Sequence, residues 1–126
     1  MKKITVQVTT EVPFQSVADV ICNAIEGGSN YWCHDFIRED GPDLPNFYAE
    51  GEFYESGNYR IRVRFDNPED EGDKTIWIGP EQVEAGVQLV ATKHPLHFAD
   101  LIEGSHDAET GDVLLQCIVL KDVVYG

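Results

Sequence analysis

The chain has 126 residues, of which 42% are apolar and 25% charged; that length supports one domain with its own core, and the composition excludes a disordered chain. Its 9 basic and 23 acidic residues leave a net charge of −14. This balance excludes sequence-independent binding to DNA or RNA and adsorption to anionic lipid, both of which rely on clustered Lys and Arg.

Ile4, Val6 and Val8 alternate with Thr5, Gln7 and Thr9, the period of a half-buried strand. The same polar residues interrupt any leader that Lys2 and Lys3 could open, and no stretch approaches the ~18 apolar residues of a membrane span. Val17, Val20, Ile21, Ala24 and Ile25 follow helical spacing, with Pro13 in the first turn and a Ser16–Asp19 capping box available. Gly27-Gly28 ends that helix. Residues 30–37 read as a strand and 39–46, with Gly41, Pro42 and Pro45, as a loop.

Residues 47–55 and 59–66 read as a hairpin closed around Ser56-Gly57-Asn58. A three-residue loop sets Glu52 opposite Arg62 and Glu50 opposite Arg64, a register favoured by cross-strand pairs of roughly 0.2–1 kcal/mol each. An acidic turn, 67–73, leads to a short strand at 74–78 that holds Trp77. Pro80 opens a helix carrying Val83, Val87, Val90 and Ala91 on one face, and Pro95 stops it. Residues 96–102 predict a short third helix and 104–111 a polar loop. Thr110 or Asp112 can cap a last helix through about Leu120, although the apolar run after Asp112 also fits a strand. Residues 123–125 can close the sheet. The sum is an α+β fold: a single domain, residues 1–126, with a mainly antiparallel sheet of about five or six strands packed by three or four short helices. Three widely spaced cysteines (Cys22, Cys33, Cys117) predict reduced thiols and a cytoplasmic protein rather than a disulfide framework.

Candidate functional residues fall in two places. In Glu26-Gly-Gly-Ser-Asn-Tyr-Trp32, Gly27 and Gly28 let backbone approach a ligand, Ser29 and Asn30 offer hydrogen bonds, and Tyr31 or Trp32 offers a face on which a base can stack. The plain alternative is a helix stop followed by a strand with core aromatics. Arg60, Arg62 and Arg64 share one strand face and can grip a phosphate bidentately, or else form a salt-bridged outer face. His94, His97 and His106 lack regular metal-ligand spacing, so no metal and no cofactor are expected. The carboxylates Asp66, Glu69, Asp70, Glu71 and Asp73, with Glu39, Asp40, Asp43, Asp107, Glu109 and Asp112, could present a phosphate-like array to a basic protein. The chain lacks a phosphate loop, a nucleophile elbow and a zincin helix, so no enzymatic activity is expected.

The stretches Glu26–Trp32, Lys93-His-Pro-Leu-His-Phe-Ala-Asp100 and Thr110-Gly-Asp-Val-Leu-Leu-Gln116, with the terminal Val-Val-Tyr-Gly126, resemble those of small acidic proteins encoded by bacteriophages and prophages. The resemblance implies a phage accessory protein in the host cytoplasm. It favours a protein that sequesters a nucleotide-type host immune signal, in a pocket shared between protomers of a homo-oligomer. The alternatives are an acidic nucleic-acid mimic, of the anti-CRISPR or anti-restriction kind, that blocks a basic host defence protein, and a structural or regulatory phage protein.

Overall fold

The computed structural model describes residues 2–42, 44–104 and 107–126. Five helices, α1 (Phe14–Asn23), α2 (Gly51–Glu55), α3 (Pro80–Lys93), α4 (Pro95–Glu103) and α5 (Ala108–Val119), accompany three strands, β1 (Cys33–Arg38), β2 (Ile61–Asp66) and β3 (Asp73–Ile78). The strands form one antiparallel sheet in the order β1-β2-β3. Alternation along β2 sets its two faces. Ile61, Val63 and Phe65 are buried against the helices, while Arg62, Arg64 and Asp66 point the other way and stay partly exposed. On that outer face Arg62 lies between Ile37 and Trp77, and Arg64 between Asp35 and Thr75. A bulge at His34 shifts the register of β1.

Helix α5 is the centre of the core. Every residue from Thr110 to Val119 is buried except the half-buried Asp112, which is why the apolar run shows no amphipathic period. Glycine lets its neighbours come close. A Cβ on Gly86 of α3 would lie 2.3 Å from Ile118 Cγ1, and one on Gly111 would lie 2.8 Å from the Val20 carbonyl oxygen of α1. Both contacts are shorter than any side chain tolerates, so these two positions set the spacing of the helical layer.

Among the described residues the sheet has three strands, not five or six, and the α-helices number five, not three or four. The segment containing Ile4, Val6 and Val8 makes no strand; those side chains are 91%, 71% and 79% exposed. Residues 47–55 form no hairpin arm. They make a 3₁₀ turn (Phe47–Ala49) and then α2. Both sides of β2 are already taken by β1 and β3, and the aromatic alternation serves a cluster in which Phe47, Phe53 and Tyr54 pack around Phe36 and Tyr59. Gln15 pins the bend from both sides, donating to the Ala49 carbonyl and accepting from Gly51 N–H. The arginines therefore meet Glu39, Asp35 and Asp73 rather than Glu50 and Glu52. Residues 123–125 also form no strand.

Helix ends differ in detail. Pro13 caps α1 through its carbonyl, without a Ser16–Asp19 box. After α1 the chain widens into one π turn, Ala24–Gly28, before the strand begins at Cys33 rather than residue 30. Asp107 caps α5 by accepting from Glu109 N–H, so Thr110 and Asp112 lie inside the helix.

Candidate functional site

The turn after the π segment is closed by backbone bonds from Trp32 and Cys33 N–H to the Ser29 carbonyl. It presents three donors to one carboxylate. Ser29 Oγ and Trp32 Nε1 donate to Asp112 Oδ1 at 2.8 and 2.7 Å, and Tyr31 OH donates to Oδ2 at 2.6 Å. One helical turn on, Gln116 donates to the same Oδ2 at 3.1 Å and to the Tyr125 carbonyl, while its Oε1 accepts from Val124 and Tyr125 N–H, both at 2.8 Å. Tyr125 stacks on Trp32 with ring centroids 5.8 Å apart and donates its hydroxyl to the Asp66 carbonyl. Ser29, Tyr31 and Trp32, Asp112 and Gln116, and Val124 and Tyr125, widely separated in sequence, thus form one polar network around α5.

That network absorbs much of the expected binding motif. Trp32 is completely buried and Ser29 nearly so, so this indole cannot stack a base. Asn30 is exposed and the Tyr31 ring is 52% exposed, but the Tyr31 hydroxyl is committed to Asp112. Gly28 packs against the Ala108 carbonyl, and Gly27 faces open space. The adjoining cavity, lined by Ala24, Ile25, Asn30 and Cys33 among others, holds about 50 Å³, far below the roughly 300–1,000 Å³ of a ligand pocket.

The arginines lie elsewhere. Trp32 packs edge-on against Phe65 on the inner face, whereas Arg62 and Arg64 occupy the outer face, so the sheet separates the two halves of the expected pocket. Arg62 pairs with Glu39 at 3.2 Å, and Arg64 bridges Asp35, at 2.7 Å, and Asp73. The hydrogen bond from Arg64 holds the Asp35 carboxyl below its ordinary range. Arg60 lies over the Trp77 ring, 5.3 Å from its centroid.

The histidines serve packing. His97 Nδ1 lies 2.9 Å from Thr110 Oγ1, and Thr110 donates to Asp100, tying α4 to α5. His94 caps the junction of α3 and α4; His106 lies outside the described residues. Among the described residues, one group of three metal-type ligands converges: His34, Asp66 and Asp73, with ligand atoms within 4.8 Å of one another. His34 is hydrogen-bonded to Asp66, and the Arg64 guanidinium sits on Asp73. A fixed positive charge there opposes a cation, and the trio reads as the end of an ion-pair chain.

Sequence reasoning missed a groove at the free edge of β3. It encloses about 460 Å³ between Ile76, Ile118, Leu120 and Val124, with Lys74, Lys121 and Trp77 at its rim. It continues, through Gln82, Ile118 and Lys121, into a cleft of about 450 Å³ between α3 and α5. The available signal was the short 74–78 strand itself, in which Trp77 alternates with Ile76 and Ile78.

All five tyrosines hold their protons more tightly than a free phenol. Burial, followed by the Asp112 hydrogen bond, pushes Tyr31 up to about 12; burial is also the leading cause for Tyr48, Tyr54, Tyr59 and Tyr125. Burial likewise raises Cys117 to about 11. The unfolded chain therefore loses these protons first, so the stability they contribute is fully present below about pH 9 and is lost as pH rises toward 12. A urea midpoint that is level up to about pH 9 and falls steadily above it is the expected result; a midpoint unchanged to pH 12 would refute this account of the phenols.

The chain matches no known protein-family profile, no curated protein and no solved structure.

Proposed function

We propose that this chain is a non-enzymatic acidic binding protein that occupies a cationic, nucleic-acid-binding groove on a basic partner. The carrying observation is how its charge is distributed. Four ion pairs among the described residues join Arg38, Arg62 and Arg64 to Asp35, Glu39, Asp40 and Asp73, and His34 is hydrogen-bonded to Asp66. Exposed carboxylates such as Glu69, Asp70, Glu71, Glu81 and Glu84 enter none of those pairs. Three of the nine basic side chains are thus paired within the sheet region, and with 23 acidic residues in the chain the exterior stays acidic. Such an exterior steers toward positive potential and is screened over ~8–10 Å at physiological salt. The resemblance to phage accessory proteins makes a host nuclease complex, of the CRISPR or restriction kind, the proposed partner.

The turn at 66–73 divides by role. Asp66 and Asp73 are anchored by His34 and Arg64, whereas Glu69, Asp70 and Glu71 are exposed at its tip. The test is E69Q/D70N/E71Q, assayed for relief of DNA binding by such complexes at low and high salt. Each rim charge carries up to about 1 kcal/mol, so the triple variant should weaken inhibition by about tenfold to a hundredfold at low salt. It should also flatten the salt dependence. Inhibition untouched by the variant, or none with any complex, overturns the proposal. A nucleotide trap would instead need a pocket completed between protomers, and calorimetric heat with cyclic dinucleotides, unaffected by the variant, would favour that reading.

A further inference from the structure

The first described residues carry a pattern that the monomer leaves unused. Ile4, Val6 and Val8 alternate in sequence with Thr5, Gln7 and Thr9, the order that separates two faces in a strand, yet they lie in no strand and face solvent. Three alternating exposed aliphatics carry the pattern of a strand that has no sheet, and a segment with that pattern can add to an open sheet edge. This fold has one beside a groove of mixed polar and apolar lining. Among the described residues β3 pairs only with β2, and Ile76, Ile118, Leu120 and Val124 supply the apolar part of the groove described above, beside Asn67, Glu69, Lys74, Gln82 and Lys121.

We propose that residues 3–9 of one copy add to the free edge of β3 in a second copy, seating Ile4, Val6 and Val8 in the groove as a fourth strand. Helix α3 identifies the donor as a second copy. Where the arm joins the body, Thr10 and Val12 line a cavity with Val87, Gln88 and Ala91, whereas the groove and its extension use Gln82, Ala85 and Leu89. At 3.6 residues per turn these two sets lie on opposite sides of α3. An arm therefore leaves its own body facing away from its own groove. The added strand runs parallel to β3 in this arrangement. Lys2 and Lys3 come to lie beside Glu69, Asp70 and Glu71, and Thr5 lies beside Thr75 on the outer face.

The full-length chain tests this by sedimentation velocity across micromolar concentrations. The expected result is a concentration-dependent dimer that Val6→Asp weakens by about a hundredfold or more, because the added carboxylate would be desolvated in the groove. Val6 is exposed in the monomer, so Val6→Asp should leave the circular dichroism spectrum unchanged. Mixing Thr5→Cys protein with Thr75→Cys protein should give a disulfide between unlike chains under mild oxidation. A monomer at every concentration, or a dimer indifferent to Val6→Asp, overturns the proposal. So does a dimer lacking the mixed disulfide. A disulfide within one monomeric chain of the T5C/T75C double variant also overturns it, because the arm would then close on its own body.

Discussion

Asp112→Ala is expected to lower unfolding free energy by about 3–5 kcal/mol, a large share of the 5–15 kcal/mol that holds an ordinary domain together. The reason lies in how completely the carboxylate is used. Two oxygens offer about four lone-pair sites, and four donors fill them: Ser29 and Trp32 on Oδ1, Tyr31 and Gln116 on Oδ2. Tyr31 is half-exposed and can turn to water. Ser29 and Trp32 are buried and cannot, and each stranded donor costs about 1–3 kcal/mol. Asp112→Asn separates geometry from charge. Its remaining oxygen can still accept from Ser29 and Trp32, but its amide faces the Gln116 amide, so a smaller loss of about 1–2 kcal/mol is expected. Trp32, enclosed at the site, reports the transition in urea by fluorescence. An alanine variant within about 1 kcal/mol of wild type would show that the network is decoration on a fold held by α5 packing alone.

This network explains why the expected binding motif turned out to be largely structural. Glycines after a helix, followed by Ser, Asn and two aromatics, are compatible with a ligand loop, and nothing local distinguishes that from a braced turn. The distinguishing residue is about 80 positions away. Its only sequence trace is Asp112 and Gln116, four apart in an otherwise apolar run. Two polar residues one turn apart on a helix buried all round require partners, and the terminal Val-Val-Tyr supplies half of them. Periodicity, in contrast, made α1 and α3 legible, because each keeps one face on the core. It failed at residues 47–55, where aromatic alternation looked like a strand; the competing demand was the cluster around Phe36 and Tyr59, reached more compactly by a 3₁₀ turn and a short helix. It also misplaced Ile4–Val8: the strand pattern is present, but the segment joins no sheet.

Gln116→Leu addresses the other half of the brace. Leucine has nearly the same volume and suits the buried face of α5, so the helix and its contacts with α1 and α3 should persist. The lost interactions belong to the C-terminal tail. The Val124 and Tyr125 amides and the Tyr125 carbonyl lose their side-chain partner, and Asp112 loses one donor. At about 0.5–1.5 kcal/mol for each bond, a net loss of about 2–4 kcal/mol is expected, with the tail released. Release uncovers Trp32, because Tyr125 is the ring stacked on it; its emission should shift red and become quenchable by acrylamide while the far-ultraviolet spectrum keeps its helical shape. Tyr125→Ala should produce the same optical change. If the amide latch and the ring act as one unit, the double variant loses markedly less than the sum of the two single losses. Strict additivity would mean that Gln116 stabilises α5 independently of the tail, and the C-terminus would then have no part in holding the turn that contains Tyr31 and Trp32.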